Sequence, residues 1–400
     1  MERLVSLLGI FVMLGLAWLL STNRKKMDFK LIIMGTLLQF IFGVLVLWTT
    51  PGQIFFQGAK EFITKLISFS DNGAAMVFGQ NFRDHFFAFS VLPTIIFVSS
   101  LMAVLFHLGV MQKVVKVMAW VMMKVMDVSG AESLSASANV FVGQTEAPLV
   151  VKPYISTMTN SEVMAMMTGG MATIAGGVMA AYVGFGADPG HLLAASIMSA
   201  PASLVIAKII IPEVEEPKTK GVVKIDVPKV DENVLDAACR GAGEGVQLSI
   251  NVAAMLIAFI ALSAMVNYFL GFFPHVAGDP LTMERLLGWM FSPLAWVMGV
   301  PWHDCLEVGR LLGKKMFLNE FVAYIDLKDL KGVISERSFI ISTYALCGFA
   351  NFSSIAIQIG GIGGLVPSRR KDIAKMGLRA MLGGTLAALM TATIAGVLIQ

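Results

Sequence analysis

From residue 31 to residue 48 the chain runs 18 residues without one charged side chain, and apolar runs of similar length recur from 4–20 to 376–398. About 20 apolar residues in a helix match the hydrocarbon thickness of a bilayer. Charged residues make up 14% of the 400 residues, against about 25% in soluble domains. The chain is therefore expected to be an all-α polytopic membrane protein. In lipid, irregular backbone at depth survives only where protein or an aqueous cavity satisfies its polar groups.

Basic residues set the expected direction of each crossing. Arg24, Lys25, Lys26 and Lys30 follow the first run, so that loop reads as cytoplasmic and the N-terminus as outside. Residues 4–20 read as a span and not a signal peptide, because no small-residue cleavage site follows and most of the charge comes after the apolar run. Residues 31–48 return outward. In 51–69, Phe55, Ala59, Phe62, Ile63 and Leu66 recur at helical spacing with Lys60, Glu61 and Lys65 between them, which predicts a helix lying in the interface. A polar turn at Ser70, Asp71, Asn72 and Gly73 is expected next. Residues 86–108 cross inward. Lys113, Lys116 and Lys124 among Val114, Met118, Val121 and Val125 predict a second interfacial helix.

Residues 162–182 cross outward and carry Gly169, Gly170, Gly176 and Gly177, which weaken a helix and predict a break near Thr173. Residues 191–211 cross inward. Residues 212–243 mix Glu213, Glu215, Glu216, Asp226 and Asp231 with Lys218, Lys220, Lys224, Lys229 and Arg240, and read as a solvated cytoplasmic linker. Residues 247–270 cross outward, 281–300 lie in the interface, 339–361 cross inward and 376–398 outward. Arg369, Arg370, Lys371 and Lys375 mark the last cytoplasmic loop. Eight transmembrane helices with both termini outside satisfy every basic loop.

Two stretches break the apolar pattern. NVFVGQTEAPLVV, residues 139–151, places Asn139, Gln144, Thr145 and Glu146 at membrane depth. An acid there costs about 2.5–3.5 kcal/mol on insertion scales and is usually functional. Gly143 and Pro148 bracket the polar group, and Pro148 disfavours the helical region at Ala147. Residues 133–158 number 26, whereas two crossings need about 40, so a re-entrant hairpin is expected. Residues 303–327, with Asn319 and Glu320, read as a second.

The two hairpins belong to an internal repeat. KVMDVSGAESLS (124–135) lies without gaps on WVMGVPWHDCLE (296–307), where Val125, Met126, Val128 and Leu134 match Val297, Met298, Val300 and Leu306. Glu146 and Glu320 then fall at nearly the same offset, and each precedes a span carrying polar residues: Thr173 in one, Asn351 and Ser354 in the other. One unit begins inside and the other outside. Paired broken helices in an inverted repeat are the signature of secondary transporters.

Other readings compete with a binding site. Glu146 and Glu320 could pair with Lys152, Lys314 or Lys315, and Asn351 and Ser354 could join helices. The glycines of 360–364 read as helix packing, and 369–375 as a topology signal. Two membrane glutamates also fit an intramembrane hydrolase using an acid and a base, although no nucleophile or oxyanion motif accompanies them. His303, Asp304 and Cys305 adjoin with no third ligand at a metal spacing. Cys239, Cys305 and Cys347 form no CxxC pair, no basic aromatic patch points to nucleic acid, and no organic cofactor motif is present.

GQTEAPLV (143–150), NEFVAY (319–324) and CGFANFSSIAI (347–357), in that order, resemble the concentrative nucleoside transporters, a bacterial member in particular, and the resemblance covers essentially the whole chain. It implies sodium-coupled symport of nucleosides such as uridine by an elevator-like homotrimer in a bacterial inner membrane. Each protomer would have scaffold helices in 1–109 with 245–272, and a transport domain formed by 110–212 and 273–400 joined by the linker 213–244. The resemblance also assigns roles. Gln144, Thr145, Glu146 and Val178 would face the base, and Glu320, Asn351 and Ser354 the ribose hydroxyls, with Phe349 beside the sugar. The side chains of Asn139 and Thr173 and the carbonyls of Val142 and Ile174 would hold sodium. Compared members often carry serine where this chain has Thr173, which keeps the hydroxyl. Proton coupling is the alternative, and Asn139 favours sodium.

Overall fold

A computed structural model describes residues 1–85, 87–221, 231–275 and 280–399, and no β-strand occurs among them. Phe86, Lys224, Asp226 and Lys229, and the side chain of Phe55, lie outside the described residues. The order is α1 (Glu2–Leu19), α2 (Phe29–Leu47), α3 (Thr50–Phe78), α4 (Leu92–His107) and α5 (Val110–Met126). The first hairpin follows as α6 (Gly130–Asn139), α7 (Ala147–Val150) and α8 (Lys152–Ile155), then the broken helix α9 (Asn160–Ala172) and α10 (Gly176–Gly184), then α11 (Pro189–Ile210). After α12 (Val234–Leu270) the same order returns. It runs α13 (Met283–Val297), hairpin α14 (Cys305–Phe317) and α15 (Glu320–Asp329), broken helix α16 (Glu336–Leu346) and α17 (Phe352–Leu365), and α18 (Arg370–Leu398).

Seven helical stretches of the described residues are long and apolar enough to cross a membrane. Another apolar path is divided at 347–351 into α16, of 11 residues, and α17, of 14. The spans are not equivalent. In α11 89% of the most apolar window is buried, but in α12 only 22%. The two hairpins, both broken helices, α11 and α18 therefore form the centre. Helix α12 packs along α4, where Gly241 and Gly245 bring its backbone against Ser99, Ser100 and Ile96. Small residues permit such close approach in lipid. Its other face shows Ile250, Ile257, Ile260 and Phe269. Helices α1 and α2 lie instead along α18 and α11.

Local sequence sets where the central helices start. Ser129 with Glu132, and Thr159 with Glu162, form reciprocal capping boxes at α6 and α9, each satisfying backbone donors that a helix start leaves free. Asn319 and Asn351 cap α15 and α17.

Several expectations are corrected. No turn forms at Ser70, Asp71, Asn72 and Gly73: α3 continues to Phe78, because Ser70 bonds Thr94 of α4 at 2.8 Å and Asp71 takes Arg83 at 2.6 Å. Helix α12 begins at Val234, inside the expected linker. In the linker's first part Glu215, Glu216, Lys218 and Lys220 are exposed as expected, but Thr219 is docked. Thr219 is 9% exposed and donates to Glu162, while its hydroxyl and carbonyl accept from Ala131 and Gly130 at the base of the first hairpin. Arg370, Lys371 and Lys375 are helical in α18, and Arg369 bonds the carbonyl of Met158. Of the glycines in 360–364, Gly361 faces Thr145 and Gly363 faces Arg370, whereas Gly360 and Gly364 face open space.

Candidate functional site

The tip of the first hairpin meets the start of α17. The Gln144 amide donates to Ser354 Oγ at 3.0 Å, and Gln358 Nε2 donates to Gln144 Oε1 at 3.2 Å and to the Met167 carbonyl at 3.0 Å. The orientation of both amides follows from chemistry. A backbone carbonyl only accepts, so Gln358 must present its nitrogen, and Gln144 its oxygen in reply. Gly170 of α9 makes the room, since a Cβ there would stand 2.9 Å from both Gln144 Cβ and Gln358 Nε2.

A second network surrounds Glu320, 3% exposed, at the start of α15. Its Oε1 accepts from the Tyr182 hydroxyl at 3.1 Å and its Oε2 from Asn351 Nδ2 at 2.9 Å. Asn351 Oδ1 is taken by the Ser354 N–H at 2.9 Å and the Ser353 hydroxyl at 2.7 Å, so the cap of α17 also orients Asn351 toward the acid. The two networks join through Ser354. Val178 is buried on α10 and Phe349 half-buried in the break before α17.

The two glutamates differ. Glu146 is exposed at the hairpin tip, accepts from Thr145 at 3.0 Å, and lies within electrostatic reach of Glu244 on α12. Of the two, only Glu320 is buried in the protein. Pairing with lysine is not what holds either: Lys314 bonds Asp326 at 2.6 Å and buried Lys315 donates to the Ala345 carbonyl at 2.8 Å.

Asn139 ends α6 beside Gly169. Its amide nitrogen donates to the Ser135 carbonyl at 3.0 Å, which leaves Oδ1 buried with no partner among the described residues. Such orphaned acceptors are rare and call for a ligand or an ion. Thr173, 1% exposed, stands where α9 breaks and donates to the Gly169 carbonyl at 2.9 Å, leaving its oxygen free to accept. Among the described residues no backbone N–H donates to the carbonyls of Val142 or Ile174. These oxygens fit a hard cation.

The triplet His303, Asp304 and Cys305 is structural. Asp304 accepts from the Ser335 N–H at 3.0 Å and from the Ser335 and Ser338 hydroxyls at 2.8 and 2.6 Å, which ties the second hairpin to the start of α16. No cluster of three metal-ligating side chains occurs among the described residues. A cavity of about 760 Å³ lies elsewhere, lined by Arg3, Trp48, Glu336 and Arg337 among others and by none of the site residues. Sequence reading missed Tyr182 and Gln358. Their one signal was polarity inside GGVMAAYVG and FSSIAIQIGGIGGL.

Comparison with known proteins places this arrangement. Family models described as Na+ dependent nucleoside transporter N-terminus and C-terminus match residues 8–81 and 191–396, and one for nucleoside recognition matches 88–189. The chain is 45% identical to the Uncharacterized transporter YutK of Bacillus subtilis (strain 168), covering 100% of both chains. It is 44% identical to Sodium/nucleoside cotransporter 1 of Rattus norvegicus over 99% of this chain and 64% of that one. Among solved structures, CNTnw in an inward-facing substrate-bound state superposes with a TM-score of 0.92 at 44% identity, covering 100% of this chain and 98% of that one. A doubly substituted CNTnw in an outward-facing state gives 0.93 at 43%, with the same coverage. The relatives are transporters and not enzymes, which removes the hydrolase reading. With all three family models along its length, the chain belongs to the concentrative, sodium-dependent nucleoside transporter family.

Proposed function

We propose that this protein is a sodium-coupled nucleoside symporter of a bacterial inner membrane, working by alternating access. The observation that carries the reading is the joined network in which Gln144 of the first hairpin, bonded to Ser354, is linked through the Ser354 N–H and Asn351 to Glu320 of the second. A nucleoside is neutral and rich in donors and acceptors. Carboxylate and amide side chains recognise such a molecule by hydrogen bonds, strongest where the acceptor is charged. In this reading Gln144, Thr145, Glu146 and Val178 take the base. Glu320, Asn351, Ser354 and Phe349 take the ribose. Asn139, Thr173 and the carbonyls of Val142 and Ile174 hold sodium, whose binding would order the first hairpin against α9.

The moving unit is 110–212 with 273–400, in opposite orientations, and the scaffold lies in 1–109 and 245–272. The packing of α4 on α12 supports those two as the scaffold's core, whereas α1 and α2, expected in the scaffold, pack on α18 and α11 of the moving unit, which argues for their moving with it. The apolar outer face of α12 suits a homotrimer contact. Uptake of radiolabelled uridine into proteoliposomes tests the reading. Concentrative uptake under an inward sodium gradient, lost with choline in place of sodium at fixed pH and lost in Glu320→Ala, is expected. Uptake driven by a proton gradient alone would replace sodium with H⁺, and no gradient-driven uptake at all would overturn the proposal.

A further inference from the structure

Tyr182 and Gln358 occupy the same place in two half-helices. Each lies six residues past the first residue of its helix, Gly176 in α10 and Phe352 in α17. Each reaches out of its own half of the chain to the hairpin of the other. Tyr182 donates to Glu320 of the second hairpin, and Gln358 donates to Gln144 of the first. Both side chains are fully buried, so neither bond competes with bulk water.

We propose that Tyr182 and Gln358 are reciprocal positioning residues: each fixes the substrate-recognising side chain of the opposite half. This rests on the functional reading above. The Tyr182 ring is itself clamped, stacked on Tyr324 at 4.1 Å between centroids and edge-on to Phe321 at 5.1 Å. Its hydroxyl therefore has one direction to point. With Asn351 on the other oxygen, the Glu320 carboxylate cannot rotate, and its remaining lone pairs face a fixed direction. Gln358 is held likewise by the Met167 carbonyl, and its own Oε1 is buried without a partner among the described residues. It sets which edge of the Gln144 amide a base would meet.

The test uses near-isosteric variants of the full chain in proteoliposomes, with uridine, its 3′-deoxy analogue and a purine nucleoside as probes. Wild type is measured first, and absence of nucleoside uptake there sinks the functional reading itself. Tyr182→Phe is expected to raise KM for uridine about ten-fold, the effect of one lost hydrogen bond to a charged acceptor. The rise should be smaller for the 3′-deoxy analogue, with base preference and kcat little changed. Gln358→Met is expected to shift the pyrimidine-to-purine ratio by about three-fold or more, the effect of one neutral bond, with the ratio of ribose to 3′-deoxy substrate unmoved. Where Gln358→Met does not fold, Gln358→Glu is read the same way, since it sets an acceptor against Gln144 Oε1. With wild type active, variants that shift sugar and base selectivity together, or shift neither, overturn the proposal.

Discussion

Gly348 rests on the end of the other broken helix: a Cβ at this residue, which sits at φ +145°, would stand 2.9 Å from the carbonyl oxygen of Ala172 and as close to that of Met171. The break in one half is thus seated on the break in the other. The carbonyls that α9 leaves unpaired at its end lie under the loop that sets Phe349 and Asn351.

Gly348→Ala is therefore expected to damage the site and the fold together. Both the positive φ and the contact with two backbone oxygens oppose a side chain, and backbone cannot swing aside as a side-chain tip can. A cost of about 1–3 kcal/mol follows from the strained conformation. A lower melting temperature in detergent with uptake reduced beyond the loss of folded protein is the expected pair of results. A variant that melts and transports like wild type would show that the two breaks do not bear on each other.

Thr173→Val tests the cation site without changing its shape. The methyl replaces a hydroxyl that donates to the Gly169 carbonyl and keeps its oxygen lone pairs free, so both that bond and one oxygen acceptor are lost. Ligand bound only to the folded state stabilises it with the logarithm of its concentration. Wild type is expected to gain melting temperature as sodium rises at constant ionic strength. In Thr173→Val the same rise should need about ten-fold more sodium, if one oxygen ligand contributes near 1.4 kcal/mol. Identical titrations would exclude Thr173 from the ligand set.

Much of this site could be read from the chain because its signals were local. A run of Gln, Thr and Glu between Gly143 and Pro148 is improbable in lipid unless it has a use, and glycine pairs around Thr173 mark a break whatever packs nearby. The misses were long-range. The sequence at Ser70 to Gly73 has the composition of a turn, and only Thr94 and Arg83, distant along the chain, keep it helical. The charges at Glu215, Glu216, Lys218 and Lys220 are solvated as they look, but nothing local shows that Thr219 meets the first hairpin or that Glu213 meets Lys208. Tyr182 and Gln358 carry no periodic or motif signal, because their meaning lies in partners 138 and 214 residues away.

The base of the first hairpin carries a buried ion group that should not tolerate loss of its cation. Lys208, 6% exposed, lies 2.7 Å from Glu132 and 3.1 Å from Glu213. Thr159 also donates to Glu213, at 2.8 Å, so linker, hairpin and α9 meet here. Removing one partner of a buried pair strands the other charge and costs about 3–5 kcal/mol. Lys208→Met is expected to give little folded protein, and Lys208→Met with Glu132→Gln to recover a good part of it. If the single variant folds as well as wild type, or the second substitution adds further loss, the group is not a mutually compensated set.

Asp188 offers a pH test at the opposite end of α11. It caps that helix through the Gly190 and His191 N–H groups and takes Lys60 of α3 at 2.6 Å. Partial burial pushes its carboxyl upward, but the Lys60 hydrogen bond, the charges of His191 and Lys60 and the His191 N–H outweigh that and hold it below the ordinary aspartate value. A carboxyl lowered in the folded state stabilises it fully above the unfolded value of about 3.9, and that contribution fades as pH falls through the lowered value. Asp188→Asn keeps a capping oxygen and loses the ion pair. Since the two side chains are 34% and 45% exposed, the pair should be worth less than about 1 kcal/mol. Melting in detergent is therefore expected to show wild type slightly above Asp188→Asn from pH 7 to 5, with the gap narrowing once pH falls below the unfolded value of about 3.9. A gap that widens on acidification would mean that the carboxylate is held against its surroundings, and the assignment of Lys60 as its partner would fall.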